Sequence, residues 1–298
     1  MSKDPLLDRH FLERLERLTI HWQRSFPGLV GGHNRSSFAG GGQEFLDHRN
    51  YHQGDDLRAV NWRTYMRLDK MFLKMFQIEP RVPVRMLLDT SVSMSMPSEG
   101  KSITKFDYAR KLAASLCYVG LVRLDTIEVL PFSDHLHESK TCGGGRQRFT
   151  PLSNFLEGLK PAGQSSFMPV AKQFLNDYPQ RGLVIIISDF LDEGDCQKAI
   201  QYIGDYGNEL MLLQLWADED RTPPWTGEFD FVDAESNAKL HIHVDADARK
   251  KYTEAFDAFS ASLRTLAVRN NGKYTGLPTS LSIEDAIFGA MVQTRSIA

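Results

Sequence analysis

Val84-Arg85-Met86-Leu87-Leu88-Asp89-Thr90-Ser91-Val92-Ser93-Met94 is the stretch on which the reading of this chain turns. It begins as a short apolar run, the signature of a strand buried in a covered sheet. It ends in a carboxylate followed by two hydroxyls at alternate positions, Asp89, Ser91 and Ser93. A charged residue at the C-terminal end of a buried strand sits at the rim of the sheet, where open α/β folds bind ligands. Oxygen ligands spaced two apart on a turning loop can converge on one hard cation such as Mg²⁺. The plainer reading is a strand followed by a Ser-rich turn, and the pattern by itself leaves both open.

A second run of the same kind, Leu183-Val184-Ile185-Ile186-Ile187-Ser188-Asp189, also closes on a carboxylate. Around these two, strands and helices alternate. Met71 to Glu79 reads as a strand, Thr104 to Leu124 as a helix and Thr126 to Phe132 as a strand. Asp134 to Lys140 follows as a candidate third strand of that region. Helices fit Pro151–Leu159, Pro169–Tyr178, 195–206, 246–268 and Ile283–Val292. Glu209–Trp216 is a further strand, and Phe229–Val232 with Leu240–Val244 a hairpin. Alternation at this pitch implies a doubly wound, mostly parallel α/β sheet flanked by helices, Rossmann-like in plan. At the N-terminal end, Leu6, Leu7, Phe11, Leu12, Leu15, Leu18 and Trp22 recur at helical spacing over residues 5–24. The expected organisation is an N-terminal helix and arm over residues 1–80, packed on a core domain of residues 81–298 with C-terminal helices.

Composition narrows the function. The chain has 298 residues, 42% hydrophobic and 24% charged, as in ordinary globular proteins. A formal charge of −3 gives no reason to expect a nucleic-acid partner or an anionic membrane surface. Cys117, Cys142 and Cys196 are odd in number and widely separated, so neither a disulfide framework nor a thiolate zinc site is supported. Residues 1–20 lack the apolar core of a signal peptide, and no window approaches the roughly 18 apolar residues that span a bilayer. A cytoplasmic protein without direct membrane insertion is the expectation.

Residues 28–54 are Gly-rich but contain no Gly-Lys-Ser/Thr, so a phosphate-binding loop is not indicated. The string Glu44 to Trp62 is dense in groups able to satisfy one another, among them Arg49, Tyr51, Asp55, Asp56, Arg58 and Trp62. It reads either as a clamp that holds the N-terminal arm or as a partner surface. Gly54-Asp55 suggests a turn whose Asp caps a short helix starting near Asp56. His48 and His52 have the spacing of a helical zinc pair, but their context disfavours a helix. His241 and His243 share one side of the expected hairpin, an incidental pairing more often than a ligand pair.

The loop Gly163-Gln164-Ser165-Ser166 opens a helix between the two Asp-terminated strands. Asp89, Ser91, Ser93, Ser165 (or Ser166) and Asp189 thus offer oxygen donors alone, as Mg²⁺ or Mn²⁺ prefers. This set resembles the metal-ion-dependent adhesion site of the von Willebrand factor A fold, Asp-x-Ser-x-Ser with a later Thr and Asp. The resemblance implies that Ser91 and Ser93 are direct ligands, that Asp89 and Asp189 orient waters, and that the ion's open position takes an acidic side chain of a partner. Ser165 stands where that family has Thr, which keeps the hydroxyl and drops the β-branch. Farther upstream, Gly42 to Trp62 resembles the bacterial family called domain of unknown function fifty-eight. Membership implies a non-enzymatic adaptor or co-chaperone acting with a MoxR-type AAA+ ATPase on a client protein. The alternatives are a metal-dependent hydrolase or phosphotransfer enzyme, and a metal-free scaffold. Neither an Asp-x-Asp after the strand nor a Gly-x-Ser-x-Gly elbow is present to favour an enzyme.

Overall fold

A computed structural model describes residues 6–20, 44–53, 55, 57–77, 83–96, 103–123, 125–192, 194, 196–232 and 239–297. The Gly-rich segment 28–43, Trp22 and Asp56 lie outside the described residues. The chain divides into two compact units, one of Met1–Ser25 with Pro83–Ala298 and one of Phe26–Val82. The first helix therefore belongs with the large unit.

In the large unit, helix α1 (Arg9–Leu15) precedes the strand β3 (Val84–Asp89), while β1 (Glu44–Asn50), α2 (Trp62–Leu68) and β2 (Phe72–Gln77) belong to the small unit. Then come α3 (Lys105–Val122), β4 (Ile127–Phe132), β5 (Lys140–Cys142), α4 (Phe149–Gly158), α5 (Phe167–Asp177) and β6 (Leu183–Ser188). The chain continues through α6 (Cys196–Asp205), β7 (Glu209–Trp216), α7 (Asp218–Arg221), β8 (Gly227–Val232), β9 (Lys239–Val244), α8 (Ala246–Arg269), β10 (Lys273–Pro278) and α9 (Ile283–Asp285). Six strands form one sheet in the order β10-β7-β6-β3-β4-β5. All neighbours are parallel except β5, which runs antiparallel to β4. β3 lies between β4 and β6, so the chain winds outward from β3 to one side and then to the other.

β3, β6 and β7, in the middle of the sheet, are mostly apolar because both of its faces are covered. Alternate residues serve opposite layers: Met86, Leu88, Ile185 and Ile187 pack with α1, α3, α4 and the segment 286–297. Leu87, Val184 and Ile186 pack with α5, α6 and α8. α3 is buried along most of its length, since it lies between the sheet and α1 and α4. A helix so enclosed has no polar stripe to speak of.

In the small unit, β1 (Glu44–Asn50) pairs antiparallel with β2 (Phe72–Gln77), with a bulge between Phe45 and Asp47. Helix α2 (Trp62–Leu68) lies between them, N-capped by Asn61 and ended by Asp69 in the left-handed region (φ 50°). Not one residue of α2 is buried.

Several expectations need correction. The helix read over 5–24 spans only Arg9–Leu15, because the chain leaves helical geometry there and Ile20 forms an antiparallel bridge with Ile297. Asp134 to Lys140 is not a strand; the strand is Lys140–Cys142, reached after a polar turn. Glu44–Asn50 and Lys273–Pro278 are strands that the sequence reading missed. Ile283–Val292 is a short α-turn followed by a π-turn at Ala286–Met291.

Candidate functional site

Asp89 is the last residue of β3, and the register that pairs Leu88 with Ile187 brings it beside Ser188 at the end of β6. Its carboxylate is fully enclosed. Oδ1 accepts from the Ser91 N–H (2.9 Å) and Oδ2 from the Ser188 hydroxyl (2.5 Å). The first of these bonds closes an Asx-type turn, which is why the chain curls immediately after the strand. That curl brings the Ser91 and Ser93 hydroxyls together at 2.9 Å, with Ser91 buried and Ser93 half-buried.

Two more segments are stitched to this turn. Thr90 donates from both its N–H (2.8 Å) and its hydroxyl (2.9 Å) to the Phe132 carbonyl at the end of β4. The loop before α5 is tied on by Ala162 N–H to Thr90 O (2.7 Å) and Val92 N–H to Gly163 O (3.0 Å). Gly163 has φ 81°, and a Cβ there would come 2.9 Å from Ser133 Oγ, so this approach needs glycine. Ser165 follows at the mouth of α5, but its hydroxyl donates to the Leu191 carbonyl (2.9 Å). Ser166 is the N-cap residue of α5 without a side-chain capping bond.

Asp189 follows β6 and is also buried. Its Oδ1 accepts from Leu191 N–H (3.1 Å), while Phe190 between them takes a left-handed φ of 59°. Such a backbone in a bulky residue is uncommon; here Phe190 is held by stacking on Phe167 (5.7 Å between centroids) and by donating its N–H to Ser188 Oγ. Asp189 Oδ2 accepts from Lys105 Nζ at 2.7 Å, and Lys105 also lies 3.3 Å from Asp220 Oδ2 of α7. Burial works against the Lys105 charge, but Asp189 and Asp220 outweigh it and hold the ammonium above its ordinary range. Asp89 is pushed up to about 7, by burial first and by the negative charge of Asp189 second.

These residues fit a hard divalent ion. An octahedral Mg²⁺ at about 2.1 Å sets neighbouring oxygens about 3 Å apart, the separation of the two serine hydroxyls. Burial and, after it, the charge of Asp189 disfavour the ionised form of Asp89, and added positive charge would favour it. Were an ion held there, the Ser91 and Ser93 hydroxyls would be its direct donors, and Asp89 and Asp189, whose oxygens are engaged in hydrogen bonds, would reach it through water. Among the described residues, no three His, Cys, Asp or Glu side chains form a metal cluster. His48 and His52 sit on a strand and in a turn; His48 pairs with Asn61 (2.7 Å) and His52 with Arg49 (3.1 Å).

In the small unit, Arg49 donates to Asp55 (2.6 Å), and this bond together with the His52 N–H holds the Asp55 carboxyl below the usual range. Tyr51 N–H donates to Met71 O, and Trp62, half exposed, stands edge-on to Tyr65. Arg58 is exposed in the short turn before α2. Sequence reasoning passed over Ser188 and Lys105. Neither carried a signal in the sequence, since the partners of each lie on other strands and helices.

Residues 47–262 match the family described as "Protein of unknown function DUF58". Uncharacterized proteins Mb1516 of Mycobacterium bovis and Rv1480 of Mycobacterium tuberculosis are each 21% identical over 266 residues, covering 88% of this chain and 83% of theirs. Among solved structures, a conserved hypothetical protein BatB from Bacteroides thetaiotaomicron is 18% identical (TM-score 0.38; 63% of this chain, 99% of that one). An aerotolerance-related membrane protein from Bacteroides fragilis is also 18% identical (TM-score 0.42; 71% and 99%). Neither likeness is close enough to bear on fold or function. No helix among the described residues is long and apolar enough to cross a membrane.

Proposed function

The chain belongs to the DUF58 family, whose description names no activity, and from its own residues we propose that it is a metal-dependent protein-binding module. The observation that carries this reading is the convergence of Asp89, Ser91, Ser93 and Asp189 at the point where the sheet changes winding direction. In this reading the large unit is von Willebrand factor A-like and the rim site is an adhesion site. An ion bound there supplies positive charge with a coordination position open to a carboxylate of the partner. Ser91 and Ser93 hold it through neutral oxygens, which leaves that charge uncancelled. Asp89 is kept in place by Ser91 N–H and Ser188, and Asp189 by Leu191 N–H and Lys105. Ser165, engaged with Leu191 O, takes no part in direct ligation unless that bond opens.

A MoxR-type AAA+ ATPase and its client are the partners this reading proposes, with Mg²⁺ or Mn²⁺ as the ion. The small unit supports an interaction role, because Leu57, Trp62, Tyr65, Met66 and Leu68 are all exposed there. The test is calorimetric titration with Mn²⁺, followed by pull-down of the ATPase with and without EDTA. Ser91→Ala with Ser93→Ala should abolish Mn²⁺ binding and ion-dependent capture, yet shift the metal-free unfolding midpoint little. Undiminished Mn²⁺ binding by that double variant would sink the reading.

A further inference from the structure

Lys105 enters the proposed function only as a hydrogen-bond partner of Asp189, which leaves its charge without a role. It opens α3 as the first residue after the N-cap Thr104, where the helix dipole opposes a cation, and its side chain is 4% exposed. A buried lysine in that position has to be matched by anionic partners, and two are present. One is Asp189, a member of the candidate ion site, and the other is Asp220, a surface carboxylate on α7. Asp220 is itself fixed by accepting from Ala217 N–H (2.8 Å), and its backbone carbonyl accepts from Tyr252 on α8. The ammonium therefore joins α3, the end of β6 and α7 at the floor of the site.

We propose that Lys105 is a tethered counter-cation that sets the affinity of the rim for a divalent ion. The inference rests on the metal-site reading above and adds its regulation. Without an ion, the ammonium offsets the charge that Asp189 and Asp89 concentrate in a buried space. An incoming divalent ion shares Asp189 with it and meets its like charge. The site is thereby kept folded when empty and kept from binding too tightly when filled, so that a partner's carboxylate can complete or vacate it. Asp220 tunes the balance from outside, because it draws part of the Lys105 charge away from Asp189.

Two substitutions shift the balance in opposite directions. Lys105→Met removes the competing charge and should tighten Mn²⁺ binding roughly tenfold or more, as loss of a unit charge a few ångströms away implies. It should also lower the metal-free unfolding midpoint, with Mn²⁺ restoring more of it than in the wild type. Asp220→Asn leaves Lys105 to Asp189 alone and should weaken Mn²⁺ binding, while Lys105→Arg, which keeps the charge, should stay near the wild-type affinity. Calorimetry and thermal unfolding with Mn²⁺ read all three. Unchanged or weaker binding by Lys105→Met, alongside loss in the Ser91→Ala, Ser93→Ala variant, overturns this inference and spares the metal site. Mn²⁺ binding by none of the proteins overturns both. If Lys105→Met does not fold, the inference stands or falls on whether Asp220→Asn weakens binding.

Discussion

Asp89 shows how one residue carries opposing demands. Its carboxylate anchors the turn that presents Ser91 and Ser93, yet it is enclosed beside Asp189 and so favours the protonated form. A carboxyl whose folded pKa is raised binds its proton more tightly folded than unfolded. Stability from this group is thus greatest at low pH and declines as pH rises from the unfolded value of 3.8 towards about 7. In metal-free buffer the unfolding midpoint should fall as pH rises from about 4 to about 7, and Asp89→Asn should flatten that slope. A wild-type slope no steeper than that of the variant would show that burial beside Asp189 does not raise Asp89. The residues of this site were unequally legible. Asp89, Ser91, Ser93 and Asp189 stood out because each lies on or just past a long apolar run whose end must be a rim. Ser188 did not, since a hydroxyl closing a strand has no signature until the neighbouring strand is known. Lys105 looked like any helix-opening lysine, and only the crossing of α3 over the end of β6 gives it Asp189.

The elements follow the same division. β3, β6 and β7 are buried on both faces, so burial wrote itself into the sequence as continuous apolar runs. β1, rich in charge (Glu44, Asp47, His48, Arg49), carries no such pattern because it pairs in a two-stranded ribbon. β10 contains Lys273, Thr275, Gly276 and Pro278; its partner β7 supplies the apolar side of the pairing. α3 was read nearly to its ends from its apolar spacing, and its start has a local device, a capping box in which Thr104 and Asp107 satisfy each other's backbone N–H groups. Thr104→Ala should cost about 1 kcal/mol in denaturant unfolding, and a cost near zero would mean that Lys105 and its partners alone hold the helix start. The β8–β9 ribbon offers a pH-dependent counterpart. His241 bonds to Asp230 first and Glu228 second, which raises its pKa. The pairing stabilises the ribbon fully below the ordinary His range and is lost as pH climbs through the raised value. An NMR titration should place His241 above 6.5, and Asp230→Asn should bring it back down.

Over the whole molecule, the covering of one sheet face by sequence-distant pieces dominates. α1 lies on α3, and Phe11 meets Phe288 edge-on (6.1 Å) while Arg14 pairs with Glu284. Leu15 and Met291 are both fully buried in that layer. Leu15→Ala should cost about 2–5 kcal/mol, and deleting residues 286–298 should lower the unfolding midpoint at least as far, which thermal denaturation would reveal. The bridge between Ile20 and Ile297 closes the same layer. These contacts reach across 270 positions of chain. During synthesis, α1 leaves the ribosome long before the segment that covers it exists, and its apolar side must wait in the open. The small unit has its partners within its own stretch and can settle early. The sheet has its last strand once β10 is made, but the layer that holds α1 can be closed only after residues 286–297 have followed, so that layer is the late step of folding and α1 the piece left exposed in the interval.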